Sequence, residues 1–249
     1  MAVVVAFVLM GALMVVAVPG LLAFVFGWSR MTVIQTGAIA AADGGDASVE
    51  LEASADAEAA FRRALELHPD WNFAMASLGS VLLTRGETAE AEKLLVRAIE
   101  LDAQNFPAYS ALTELRLKTN AKPDVLRGLL HRLMDLTAKS KPPASIWTAR
   151  AAVEDALGSV DAAKLSAEKA LLMEPSNRTA LTVMFNSAIA DGDATRAAVY
   201  LGRYEKAYSA SPQVPAMHAR ILLVQGKPVE ALAVLNAVAK PSPDIVALR

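Results

Sequence analysis

The sequence predicts an all-α protein in which a single N-terminal transmembrane helix is followed by a stack of about five to six helix hairpins. Three observations carry that prediction. Gly158, Gly192 and Gly226 stand 34 residues apart, each followed five residues later by an alanine (Ala163, Ala197, Ala231), and Gly86 with Ala91 repeats the pair upstream. Hydrophobic residues make up 54% of the chain but aromatics only 6%, a bias toward Ala, Leu and Val that suits closely packed helices. Residues 2 to 28 contain no charged side chain.

As a helix that uncharged run extends roughly 40 Å, more than a hydrocarbon core of about 30 Å requires. A cleaved secretory signal needs a basic start and a shorter apolar stretch, and Met1 leads straight into apolar residues. Residues 1–30 are therefore read as a retained anchor, kinked at Pro19-Gly20, with Trp28 and Arg30 at the membrane interface. The expected location is a bacterial inner membrane. Arg30 leans the repeats toward the cytoplasm, and a periplasmic placement stays open because no other Lys or Arg flanks the span.

Residues 31–53 lack Lys and Arg, carry Asp43, Asp46, Glu50 and Glu52, and include Gly37, Gly44 and Gly45. This composition predicts a flexible acidic connector that an anionic lipid surface repels.

From residue 54 onward the apolar positions read as helix, tight turn, helix. In the unit 72–105, Met75, Leu78, Leu82 and Leu83 line one helix, Arg85-Gly86 ends it, and Ala91, Leu95, Ala98 and Ile99 line the next. Gly79, Ala91 and Ala98 are the small residues that two antiparallel helices need where their axes approach most closely. These spacings resemble the tetratricopeptide repeat, a 34-residue helix hairpin. Leu78-Gly79, Ala91, Leu95 and Ala98 stand at its signature positions, and Ala103 stands where proline is usual.

The other units follow with varying fidelity. Residues 54–71 read as a second helix alone, through Ala57, Phe61, Ala64 and Pro69. Unit 144–177 carries Trp147, Gly158, Ala163, Ala167, Ala170 and Pro175. Unit 178–211 carries Leu181, Gly192, Ala197 and Leu201, with Tyr204 in place of a small residue, and unit 212–245 carries Leu222, Gly226, Ala231 and Leu235. Unit 106–143 diverges: it is four residues longer, Asn120 replaces the turn glycine, and Arg132 replaces a small residue. Asn tolerates the left-handed turn conformation, so the turn is expected to survive, and the insertion is placed at Ala138 to Pro143. After Pro243 only six residues remain, so either a partner or this tail is expected to cover the last hairpin.

No chemistry is expected of this chain. His68, His131 and His218 lie in different units, there is no cysteine, and no phosphate loop or nucleophile elbow occurs. A net charge of −2, with scattered Lys and Arg, argues against nucleic acid as a partner. Asn177-Arg178-Thr179 matches a glycosylation acceptor and is given no role. No cofactor and no metal is predicted.

What the resemblance implies is protein binding. It implies stacked units in a right-handed superhelix with a concave groove lined by the first helix of each unit. Carrying the family's groove-facing spacings onto this chain points to Phe73, Ser80, Leu83, Ser110, Glu114, Lys118, Thr148, Asp155, Asn186 and Arg220. The family's carboxylate clamp is not expected, because Ala76, Ser80 and Ala111 stand at its positions. The partner is then a protein helix or extended peptide in the groove, transmembrane helices of a larger complex, or both. Two functions follow. One is an anchored scaffold for assembly of a membrane or envelope complex; the other is an accessory subunit of a membrane enzyme complex (respiratory or photosynthetic, cytochrome c maturation, glycan polymerase or export), held through the transmembrane helix.

Overall fold

A computed structural model describes residues 47–237 of the chain, with side chains from residue 54 onward. The anchor at 1–30, its interface residues Trp28 and Arg30, and the tail beyond Ala237 lie outside the described residues. Eleven helices and no strands occur among those described: α1 (Ala47–Leu67), α2 (Asn72–Arg85), α3 (Thr88–Leu101), α4 (Phe106–Lys118), α5 (Pro123–Lys139), α6 (Ala144–Ala156), α7 (Val160–Met173), α8 (Arg178–Ala190), α9 (Ala194–Ala207), α10 (Val214–Val224) and α11 (Pro228–Asn236). None is long and apolar enough to cross a membrane. Helix α1 begins at Ala47, so the last seven residues of the stretch expected to be a connector, 47–53, are helical instead.

The chain divides into two units at residue 57, and the second holds the described residues from 58 onward. In the second, each first helix (α2, α4, α6, α8, α10) packs on its own partner and on the first helix of the next unit. Each second helix in turn packs on the following first helix. The first helices thus form one continuous row, against which the second helices pack.

Identical turns set this register. Gly86, Gly158, Gly192 and Gly226 all have φ between 71° and 82°, and Asn120 takes φ 51° at the equivalent place. At each turn the residue after this position donates back across the helix end, as in Glu87 N to Leu82 O at 2.9 Å and Ala121 N to Arg116 O at 2.9 Å. Asn120 therefore closes the same Schellman-type cap without a glycine, as its tolerance of the left-handed region allows.

Close approach is sharpest between α2 and α3. A Cβ placed on Gly79 would stand 2.7 Å from Leu95 Cγ. Tyr204, large where the pattern calls for small, is fully buried, and its hydroxyl donates to Gln213 Oε1 at 2.9 Å, which fastens α9 to the entry of α10.

The divergent unit corrects one expectation. Its extra length does not lie in a loop at Ala138 to Pro143. Helix α5 runs for 17 residues to Lys139, where α3, α7 and α9 have 14 each. The buried stripe Leu126, Leu129, Leu133 and Leu136 keeps helical spacing to the end, so burial there favours continuing the helix. Lys139 pairs with Asp135 at 3.1 Å on its own helix, which leaves a short connection from Ser140 to Pro143.

Candidate partner-binding face

The residues expected to line the groove fall on the row of first helices, and their environments sort them. Leu83 is removed from the set. It is 2% exposed and lies in the apolar core with Leu82 and Met75, because a leucine at that edge gains more from burial than from facing solvent. Ser80, Ser110 and Thr148 are half-buried and donate to the carbonyls of Ala76, Phe106 and Ala144, four residues back on their own helices. Their hydroxyl protons are thereby spent locally. Phe73 is half-buried with its ring 6.2 Å from that of Trp71, while Glu114 and Lys118 are exposed near the end of α4.

The remaining three are brought together. On α10, Arg220 donates through Nη1 to Asn186 Oδ1 on α8 at 2.7 Å. With its oxygen so engaged, Asn186 has its amide N–H groups to offer the Asp155 carboxylate on α6, and it favours the ionised form of that carboxylate. Burial pushes the Asp155 carboxyl above its ordinary value, and the Asn186 hydrogen bond and the Arg220 charge oppose that rise. The Arg220 guanidinium also lies 5.1 Å from the centroid of the buried Phe185 ring. Acid, amide and cation thus form one polar ladder across three successive first helices, each half-buried and set in apolar surroundings.

Such a ladder can exchange its internal bonds for those of a polypeptide, since it offers acceptors at Asp155 and donors at Asn186 and Arg220. It contains no nucleophile activated by a base. Among the described residues no three or more His, Cys, Asp or Glu are grouped to hold a metal ion. His218 instead pairs with Glu205 at 2.6 Å, and His68 packs edge-on against Trp71.

A separate hollow of about 530 Å³ opens at the α7–α8 loop beside Tyr208, lined chiefly by the loop itself. Tyr208 donates to Ser176 O at 2.7 Å there, and Arg178 stacks over its ring at 4.3 Å. Asn177 spends its side chain capping α8, accepting from Ala180 N at 3.1 Å.

Two residues that matter to this face were not singled out in the sequence. Arg150 and Glu154 on α6 form an ion pair at 2.8 Å in which Glu154 is 2% exposed. Their four-residue spacing was visible, as were the apolar Met184 and Ala188 at the matching places of the following unit.

Comparison with known proteins agrees with this architecture. The family model described as tetratricopeptide repeat matches residues 43–106. No curated protein matches the chain. Among solved structures, PilW, titled a widely conserved type IV pilus biogenesis factor, is 12% identical with a TM-score of 0.67, covering 90% of this chain and 98% of that one. A structure from Pseudomonas aeruginosa, titled as a functional characterization of pilF, is 16% identical with a TM-score of 0.63 over 88% and 95%. A tetratricopeptide repeat protein from Parabacteroides merdae is 14% identical with a TM-score of 0.62 over 89% and 84%. At these identities the likeness is one of fold. The family-model match over residues 43–106, with tetratricopeptide repeat structures similar across nearly the whole chain, supports reading this protein as an all-α tetratricopeptide repeat solenoid.

Proposed function

We propose that this protein is a membrane-anchored, non-catalytic scaffold whose first-helix face holds a protein partner during assembly of a larger membrane or envelope complex. Residues 1–30 fix it in a bacterial inner membrane, and the repeats raise the effective concentration of whatever they hold beside that membrane. The observation that carries this reading is the ladder Asp155, Asn186 and Arg220. Three polar residues from three consecutive units meet at half-burial on one face, in positions where a helix or extended segment can compete for their hydrogen bonds.

The test is affinity capture of the partner from detergent-solubilised membranes. Replacing Asn186 and Arg220 together by alanine is expected to abolish capture while the far-ultraviolet circular dichroism of the repeats is unchanged. Removal of residues 1–30 is expected to leave capture intact. Capture that survives the double substitution, or that disappears with the anchor alone, would overturn the proposal; the latter result favours an accessory subunit held through its transmembrane helix.

A further inference from the structure

Helix α6 contributes to two apolar cores and carries a charged pair between them. Ile146, Ala149 and Val153 belong to the core that reaches back to Met75, whereas Ala151 belongs to the core that reaches forward to Ile221, with Trp147 packed against it. Arg150 and Glu154 lie between the two faces on the helix surface, four residues apart. Glu154 is 2% exposed and accepts from Arg150 Nε at 2.8 Å and from Ser166 Oγ at 2.5 Å; Arg150 Nη1 donates to Thr137 Oγ1 at 2.8 Å. The network therefore joins the end of α5, the middle of α6 and the middle of α7.

No other unit carries a charged pair at both of these places. Counting the same number of residues from the start of their units, Leu78 and Leu82 stand there in unit 72–105 and Met184 and Ala188 in unit 178–211, all of them buried, whereas unit 106–143 has Leu112 and Arg116 and unit 212–245 has His218 and Leu222. The terminal hairpin also has a small core of its own, Ala216, Ala219, Ala231 and Leu235, but no buried charge separates it from its neighbour. The divergent unit, with its 17-residue α5, ends immediately before the charged stripe.

We infer that the Thr137–Arg150–Glu154–Ser166 network, buried at Glu154 and Ser166, is a seam that divides the solenoid into two cooperative blocks, one ending in α5 and one beginning in α7. A repeat array is a chain of units coupled through their interfaces, and cooperativity breaks where an interface is weakest. A buried, fully paired charge cluster holds the backbone in one arrangement yet contributes less to stability than apolar packing of the same volume. Backbone packing is continuous across the described residues from 58 onward, so the seam weakens the coupling without separating the blocks. It also falls between Glu114 and Lys118 of α4 and the Asp155 end of the ladder, so bending there alters their separation. None of this depends on the face being occupied.

Native-state hydrogen exchange of the full-length chain across a guanidinium series tests the inference. The slow amides of α2 to α4 and those of α8 to α10 are expected to follow two separate isotherms, with protection differing at least ~tenfold. In the Arg150→Met/Glu154→Leu double variant, which installs residues found at these places in other units, the two isotherms are expected to merge. A single shared isotherm in the unaltered protein overturns the inference whether or not the variant folds. Two isotherms that persist unchanged in a folded double variant also overturn it.

Discussion

Gly79 is where the packing of α2 on α3 is decided, and its replacement by alanine sets two effects of known size against each other. Alanine in a helix interior is favoured over glycine by about 1 kcal/mol. The added methyl would stand 2.7 Å from Leu95 Cγ and 2.8 Å from Leu95 Cδ2. Carbon atoms in ordinary contact are about 3.5–4.0 Å apart, so Leu95 must retreat by roughly 1 Å. It has nowhere to go, being wholly buried among Leu78, Leu82 and Ala91. Overpacking of that kind costs about 1–3 kcal/mol, so the balance falls against the substitution by up to about 2 kcal/mol.

A double-mutant cycle isolates the clash from the propensity. Leu95→Ala alone leaves a cavity and is expected to cost about 2–5 kcal/mol. In that background the clash is gone, and Gly79→Ala is expected to stabilise by about 1 kcal/mol through helix propensity alone. The same substitution therefore changes sign, with a coupling of about 1–3 kcal/mol, within the range seen for residues in contact. Hydrogen exchange of the α2 and α3 amides is the suitable readout because it reports the block that contains them. Stabilisation by Gly79→Ala in the unaltered background, or strict additivity in the double variant, refutes the reasoning.

Two further outcomes follow from single residues. Gly192 has φ 71° and open space where a Cβ would stand, so Gly192→Ala should cost about 1–2 kcal/mol from backbone strain alone, and Gly192→Asn less, measured as shifts in denaturation midpoint. Asp155 has its carboxyl pushed above the ordinary 3.8 by burial, so the folded chain binds that proton more tightly than the unfolded chain. Stability should then decline as pH rises from 3.8 through the raised value. Asp155→Asn lacks that decline, so denaturation across a pH series should show the variant gaining on the unaltered protein toward neutrality; a pH-independent difference contradicts the assignment.

The parts of this fold that were legible in the sequence are those set by one residue's own backbone. The turn glycines and Asn120 announce a left-handed position, which depends on a single φ and on nothing distant. The length of α5 was misread, because Pro142, Pro143 and the lysines drew the insertion into a loop. Leu126, Leu129, Leu133 and Leu136 carry the helical spacing up to the edge of that stretch, and the helix they bury runs on to Lys139. Leu83 misleads for a different reason. Its place in the unit is groove-facing, but whether a leucine at a helix end turns outward is settled by which neighbours cover it.

Contacts between units depend on how each hairpin rotates against the next, and spacing alone does not carry that. Asp155, Asn186 and Arg220 could each be placed on a first helix, yet their junction required three units in register. Arg150 and Glu154 are the sharper case. On an isolated helix the pair is an ordinary surface ion pair worth a few tenths of a kcal/mol. Placed at positions that are leucine in one unit and methionine and alanine in another, the same two residues must be covered by the flanking helices, and the cluster then has to satisfy itself with Thr137 and Ser166. A periodic chain thus carries its own control. Arg116 and His218 stand at one of these two places in their own units without being buried, so it is the burial of Glu154 that marks an interface built differently, and here it coincides with a division of the apolar core.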